Sequence, residues 1–234
     1  MCGVFGFVAN DGRRADEDSI VRIARVTQRR GAHAFGLAWI DGAGRLKTFK
    51  RQGPISNELG IVAMAAAEAR MLIGHCRYTT SGPQDANINN HPHPADGGWI
   101  VHNGMIHNWQ RTVRRFGLLP NSECDSEVLG LLIEQGSGSV LERCARAARR
   151  CAGGPLVMLG LWHRPNRLVM VRDGGQPLHT ADTREGTYLA SLADGLPGDV
   201  RELQDGSAML LGGKSDAKRF IGLHPKQREQ LFAF

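Results

Sequence analysis

Strand-like segments gather at both ends of this chain and helix-like segments lie between them, and this order most restricts the possible folds. Alternating and apolar patterns predict strands at residues 2–9, 71–78, 99–102, 156–163, 168–172, 188–192, 208–211 and 220–223, and a hairpin at 35–40 and 45–51. Helical patterns occupy the segment from Asp16 or Asp18 to Gly31, and residues 57–70, 108–116, 125–135 and 140–151. This is neither a βαβ alternation nor an all-β pattern, and no linker divides the chain. We predict one α+β domain over residues 1–234.

Cys2 carries the strongest chemical implication, because it becomes the N-terminal residue when Met1 is removed. Its own α-amine, with a pKa of roughly 7.7–8.0, can then accept the proton of its thiol, whose pKa is roughly 8.5. A nucleophile and a base in one residue are the arrangement of N-terminal-nucleophile hydrolases. Taken alone, a Met-Cys start more often marks a small buried cysteine in a first strand. The rest of the sequence must decide between these interpretations.

Composition excludes several other classes of protein. The 234 residues are 41% hydrophobic and 22% charged, as in an ordinary globular enzyme. No stretch is long and apolar enough for a membrane span and no signal peptide is evident, so we expect a cytoplasmic protein without membrane contacts. The five cysteines form no C-x-x-C pair, which argues against both a disulfide scaffold and a zinc site. The net charge of +6 comes with scattered arginine pairs and no nucleic-acid motif, so nucleic-acid binding is not expected, and docking to an acidic protein is a weaker alternative.

Five segments in a fixed order identify a family. They are RGAHAFG at residues 30–36, GHCRYTTSG at 74–82, NNHPH at 89–93, VHNGMIHN at 101–108 and DSEV at 125–128. Together with Cys2, they resemble the glutaminase domain of class II glutamine amidotransferases, as found in glucosamine-phosphate synthase and amidophosphoribosyltransferase. The resemblance is strong through about residue 135, and only residues 172–178, 189–191 and 203–206 look familiar beyond it. It implies a four-layer αββα sandwich with two antiparallel sheets face to face.

The resemblance also implies roles for particular residues, and the chemistry of glutamine explains why they are needed. A zwitterion requires a cation for its carboxylate and an anion for its ammonium group, which Arg77 and Asp125 can supply. Asn103 and Gly104 match the oxyanion pair of the family. By themselves, these residues would be a surface arginine, a helix N-cap and an Asn-Gly turn. Tyr78, Thr80 and Ser81 fall, with a looser match, where the family lines its glutamine pocket.

The histidines also suggest a metal. His75, His91, His93, His102 and His107 lie within 33 residues, a density that raises a zinc hypothesis. The resemblance accounts for residues 91–93 and His102 without a metal, so we expect neither a metal nor another cofactor. His33 departs from the family, which commonly has an aspartate there, and the loop around residues 30–31 is expected to pack differently.

The expected activity is hydrolysis of the L-glutamine side-chain amide through a γ-glutamyl thioester on Cys2. No synthase module is recognisable in the chain, so we expect it to deliver ammonia to a separate synthase subunit. Two alternatives remain: a free-standing hydrolase of another γ-glutamyl amide, and a catalytically inactive regulatory or assembly subunit. The intact set of Cys2, Arg77, Asn103, Gly104 and Asp125 weighs against the inactive subunit.

Overall fold

The computed structural model describes residues 1–151, 154–212 and 219–224. Within them the strands are β1 Gly3–Ala9, β2 Ala34–Asp41, β3 Leu46–Gln52, β4 Ala69–Arg77, β5 His93–Ala95, β6 Gly98–Gly104, β7 Leu156–Trp162, β8 Arg167–Asp173, β9 His179–Asp182, β10 Gly186–Ala190, β11 Val200–Glu202, β12 Ser207–Leu211 and β13 Arg219–Gly222. The helices are α1 Glu17–Thr27, α2 Leu59–Glu68, α3 Trp109–Phe116, α4 Glu127–Glu134 and α5 Val140–Arg150. None of these helices is long and apolar enough to cross a bilayer.

The strands form two antiparallel sheets. The first has the order β11-β9-β10-β1-β4-β2-β3, and the second has the order β13-β12-β8-β7-β6-β5. All of the strand pairings are antiparallel. The N-terminal strand β1 lies between β10 and β4, in the middle of the first sheet.

Alternation of side chains along β1 explains how the layers stack. Val4 and Val8 join a cluster that also contains Val157 and Leu159 of β7, so this face packs against the second sheet. Phe5 and Phe7 point the other way, into a cluster with the apolar sides of α1 and α2. A strand buried on both faces must be apolar throughout, as the sequence GVFGFVA is.

The second sheet is covered in the same way by the later helices. Leu156 and Met158 of β7 belong to a cluster with Val128, Leu132 and residues of α5. The layers are therefore helices, sheet, sheet and helices, and the predicted αββα sandwich is confirmed.

The helix ends follow the local sequence. Asp16 rather than Asp18 caps α1, where its carboxylate accepts a hydrogen bond from the Ser19 backbone N–H at 2.9 Å. Ser139 and Glu142 form a capping box at the start of α5. The helix predicted to reach Arg70 stops at Glu68, because β4 begins at Ala69.

Three short strands are missing from the sequence-based prediction. β5 lies inside the polar segment between the predicted strands at residues 71–78 and 99–102. β9 and β11 contain only four and three residues, most of them with polar side chains. Such segments carry no hydrophobic periodicity of their own, and pairing with a neighbouring strand defines them. The other predicted strands are present, with ends that differ by a few residues.

Candidate active site

Cys2 is brought to the site by the pairing of β1 with β4. Gly3 lies opposite Cys76 in this antiparallel register, so Cys2 falls beside the end of β4, where Arg77 stands. The Cys2 thiol donates to the Tyr78 carbonyl at 3.3 Å, and the Tyr78 backbone N–H approaches the Cys2 sulfur at 3.3 Å. All five cysteines of the chain are free thiols.

The surroundings of the Cys2 sulfur have opposing effects on its charge. Burial raises the pKa of this thiol, whereas the Tyr78 N–H, the N-terminal ammonium group and the Arg77 guanidinium lower it. The net shift is upward, so a neighbouring base is needed to form the thiolate at neutral pH. With Met1 attached, the nitrogen of Cys2 is an amide and cannot be that base.

Arg77 is buried and is held by three hydrogen bonds. One Nη1 proton goes to Asn90 Oδ1 at 2.6 Å, and Nη2 donates to the carbonyls of Ser81 and Gly82, the latter at 2.9 Å. A guanidinium has five N–H groups, so two remain for another acceptor. The side chain is therefore a fixed cation at the end of β4, unlike a mobile surface arginine.

Close packing of the segment after α1 explains the glycine at residue 31. A Cβ atom at Gly31 would lie 2.4 Å from the Arg77 carbonyl carbon, so no larger residue fits without moving that backbone. The neighbouring Arg30 donates from Nε to the Cys2 carbonyl at 2.6 Å and from Nη2 to Gln176 Oε1 at 3.1 Å. Residues 30–31 therefore clamp the N-terminal segment against β4.

Asn103 and Gly104 end strand β6. The side chain of Asn103 is buried, and its amide donates to Gln176 Oε1 at 3.3 Å. Gly104 has φ +151, and a Cβ there would lie 2.1 Å from the Pro155 carbonyl oxygen. The backbone at this point requires glycine, which an ordinary two-residue hairpin turn would not explain.

Asp125 lies in the turn before α4 and is also buried. Its Oδ2 accepts a hydrogen bond from the Ile106 backbone N–H at 2.7 Å, so it joins this turn to the segment that follows Asn103 and Gly104. The aspartate is not the N-cap of α4, because Ser126 occupies that position.

The three residues predicted to line the glutamine pocket differ in exposure and in hydrogen bonding. Ser81 is fixed by a hydrogen bond from its hydroxyl to the Glu123 carbonyl at 2.7 Å, which ties it to the segment that carries Asp125. Tyr78 is exposed and stacks on His33 with ring centroids 4.9 Å apart. Thr80 is exposed, and its side chain forms no hydrogen bond within the described part of the chain.

His33 supports the segment that follows β4 by two hydrogen bonds. Its Nδ1 accepts from the Thr79 backbone N–H at 3.0 Å, and its own backbone N–H donates to the Arg77 carbonyl at 3.0 Å. The ring therefore supports the segment after β4, where the Tyr78 backbone contacts Cys2.

Two residues near Cys2 received no role from the sequence. Arg30 and Gln176 form a chain of hydrogen bonds from the Cys2 carbonyl to the Asn103 amide. Gln176 also approaches the Met1 sulfur, at 3.6 Å from Nε2. The only sequence signal for Gln176 was its place in the familiar segment 172–178, and its partner Asn103 is 73 residues away.

Comparisons with known proteins identify the family of the chain. No family model matches the chain. Among curated proteins it is similar to the glutamine–fructose-6-phosphate aminotransferase of Aeropyrum pernix, with 31% identity over 180 residues, which are 74% of this chain and 29% of that protein. The enzyme of the same name from Aquifex aeolicus is 31% identical over 198 residues, 82% of this chain and 32% of that protein. The chain thus spans about a third of the length of these relatives.

Solved structures of glutamine amidotransferases share the fold of this chain. The glutamine phosphoribosylpyrophosphate amidotransferase of Bacillus subtilis matches with a TM-score of 0.78 and 20% identity, over 96% of this chain and 50% of that one. A glutamine aminotransferase class-II domain protein from Silicibacter pomeroyi matches with a TM-score of 0.65 and 19% identity, over 94% of this chain and 100% of that one. The fold is that of the N-terminal-nucleophile hydrolases. With the sequence relatives, it shows that the chain belongs to the class II glutamine amidotransferases.

Proposed function

We propose that this chain hydrolyses the side-chain amide of L-glutamine to glutamate and ammonia, with Cys2 as the nucleophile. The observation that carries the proposal is the position of the Cys2 sulfur, 3.3 Å from the Tyr78 backbone at the end of the strand that holds Arg77. Hydrogen bonds from Arg30 through Gln176 connect the same residue to Asn103.

Glutamine is held in this proposal by its two charged ends. Its carboxylate accepts from an N–H group of Arg77 that has no protein acceptor among the described residues. Its ammonium group pairs with Asp125 through Oδ1, because the other carboxylate oxygen, Oδ2, accepts the hydrogen bond from the Ile106 backbone N–H. The exposed side chains of Tyr78 and Thr80, together with Ser81, line the approach to these groups.

The chemical steps follow from the groups around the amide. The free α-amine of Cys2 takes the thiol proton, and the thiolate attacks the amide carbon. The side-chain N–H of Asn103 and the backbone N–H of Gly104 stabilise the oxyanion, and ammonia leaves with the proton from the α-amine. Water then attacks the γ-glutamyl thioester, which releases glutamate and restores the thiol.

The same proposal includes a separate synthase as the acceptor of the ammonia. The relatives named as aminotransferases are about three times as long as the matched segment. One structural neighbour, in contrast, is matched over its whole chain, so this fold also occurs as a chain of one such domain. We expect slow glutamine hydrolysis by the chain alone and activation by the synthase partner, mainly through kcat.

The test measures glutamate release from glutamine by the purified chain, then by the chain with its co-purified partner, with Cys2→Ala as the control for contaminating glutaminase. Partner-dependent release that Cys2→Ala abolishes supports the proposal. If the lone chain already turns over at the stimulated rate, the synthase part is wrong. Faster cleavage of another γ-glutamyl amide would favour the free-standing hydrolase, and no release with any partner would favour an inactive subunit.

A further inference from the structure

A cluster of histidines and a cysteine lies beside the proposed glutamine site without taking part in its chemistry. His75, His91, His93, His102 and Cys124 are all buried, with side chains at most 3% exposed. The rings of His75 and His91 stack with centroids 3.9 Å apart, and His93 meets His91 edge-on at 4.7 Å.

Three members of this cluster direct donor atoms at one point. One ring nitrogen each of His91 and His93 and the Cys124 sulfur lie within 4.8 Å of one another. In a tetrahedral zinc site, bonds of about 2.0–2.1 Å to nitrogen and 2.3 Å to sulfur separate the donor atoms by roughly 3.3–3.6 Å. The separations, up to 4.8 Å, are therefore wider than in a coordinated set, and binding would draw the three side chains together.

The hydrogen bonding of the same residues points to a ligand independently. Both ring nitrogens of His91 and Nε2 of His93 have no hydrogen-bond partner within the described part of the chain, although both side chains are buried. Buried polar atoms are almost always paired, so an unpaired group of this size calls for an explanation. A bound ion or an ordered water would satisfy these atoms, and the thiol among them favours a soft metal ion over water.

We propose that His91, His93 and Cys124 bind one divalent transition-metal ion of the zinc class. Two neutral imidazoles and one thiolate are a donor set that zinc accepts, with a water or a fourth side chain completing the tetrahedron. His75 Nδ1 and His102 Nε2 are also unpaired among the described residues and lie in the same cluster.

The charges around the cluster are mixed. The Lys50 ammonium group, which donates to the Asn90 and Pro92 carbonyls at 2.9 and 3.4 Å, opposes a bound cation, as does Arg77. The Cys124 thiol, whose sulfur lies 3.9 Å from Asp125 Oδ1 as the donor, would lose its proton on binding, and the resulting thiolate and the adjacent Asp125 carboxylate would then favour the ion. With one thiolate bound, the ion retains a single net positive charge beside that carboxylate.

The proposed ion would join two segments that are distant in sequence. His91 and His93 flank Pro92 at the start of β5, and Cys124 directly precedes Asp125. Binding would therefore fix the position of Asp125 relative to the second sheet. Only this consequence depends on the proposed glutamine hydrolysis, because metal binding is measured without any substrate.

The test uses the untagged full chain carrying Cys2→Ala, which removes a second thiol that could bind metal together with its α-amine. After chelator treatment under reducing conditions, the protein is titrated with Co²⁺ and with Zn²⁺. We expect one ion per chain, visible d–d absorption, a thiolate-to-cobalt charge-transfer band in the near ultraviolet, and a rise in Tm with zinc.

Two cysteine variants in this background identify the ligand. Cys124→Ser is expected to lose the charge-transfer band and the bound equivalent. Cys144→Ser, a change at an equally buried cysteine within α5, is expected to keep both. If Cys124→Ser does not fold, the Cys2→Ala and Cys144→Ser proteins still give a decisive result.

Clear outcomes would overturn the site. The first is that the Cys2→Ala protein shows no thiolate-to-cobalt charge-transfer band when cobalt is added. The second is that this band persists in Cys124→Ser. The third is that a zinc-soaked crystal shows a water, and no anomalous signal, among the three side chains.

Discussion

Replacement of Asn103 by alanine tests the proposed oxyanion site most directly. The side chain is only 1% exposed, and its amide donates a 3.3 Å hydrogen bond to Gln176 Oε1. The amide is thus held in one place before substrate arrives, as a preorganised donor should be.

The structure separates the expected loss of catalysis from the expected loss of stability. Loss of one oxyanion donor costs about 3 kcal/mol in the transition state, or roughly 10²–10³ in kcat. Loss of the hydrogen bond to Gln176 costs about 1 kcal/mol of folding free energy. The Gln176 oxygen is not left unpaired, because it keeps the 3.1 Å bond from Arg30. We therefore expect a folded Asn103→Ala protein with a much lower kcat and a nearly unchanged KM.

The assay is steady-state glutamate release at saturating glutamine, with unfolding in urea measured in parallel. Gln176→Ala is the matched control, because it removes the same hydrogen bond and leaves the Asn103 amide in place. It should lose less than about tenfold in kcat, since the donor is still present. The reasoning is refuted if Asn103→Ala keeps kcat within about threefold of the parent, or if Gln176→Ala loses as much.

Three further outcomes are expected. Intact-mass analysis of the active protein should show that Met1 is absent, because the Cys2 nitrogen is a base only when free, and full activity with Met1 retained would contradict this. Arg77→Ala should raise the glutamine KM more than Arg77→Lys does. The Cys2→Ala protein should still bind glutamine when binding is measured by calorimetry. Absence of binding at millimolar glutamine would count against the proposed roles of Arg77 in binding and of Cys2 in chemistry. At the β2–β3 turn, hydrogen bonds from the backbone N–H groups of Arg45 and Ala43 and from the Arg45 side chain lower the pKa of Asp41 to about 2. The ionised Asp41 carboxylate therefore stabilises the fold at pH values above the ordinary carboxyl pKa of about 3.9, and this stabilisation is lost as the pH falls through about 2. Thermal unfolding should therefore show that Asp41→Asn is less stable than the parent at pH 6, and that this difference in stability shrinks toward pH 2. A difference that stays constant with pH would contradict the lowered pKa of Asp41.

Much of the architecture could be predicted because several central strands of both sheets are apolar along most of their length. β1, β7 and β8 are recognisable from composition alone, whereas β9 and β11 are short, largely polar and defined only by their neighbours. The family segments likewise predicted that Cys2, Arg77 and Asn103 serve one site, although 101 positions separate the first of them from the last.

The contacts that complete the site could not be predicted in the same way. Two of the three hydrogen bonds that hold Arg77 are accepted by the backbone carbonyls of residues 81–82, and backbone groups carry no sequence signal. The link between Asn103 and Gln176 joins the end of β6 to the segment that follows β8, 73 residues further along the chain. The histidines were visible in the sequence, but only the fold brings Cys124 to His91 and His93.

The central position of β1 has a consequence for how the nucleophile is put in place during synthesis. Phe5 pairs with Ala190, and the Val4 N–H donates to the Ser191 hydroxyl at 3.0 Å, so one side of the first strand is completed by a segment made much later. Until that segment leaves the ribosome, the chain end lacks half of its hydrogen-bonding partners and stays open to the enzymes that trim nascent proteins. Removal of Met1 can thus precede the pairing of β1 with β10, so that the Cys2 amine is already free when the sheet closes around it.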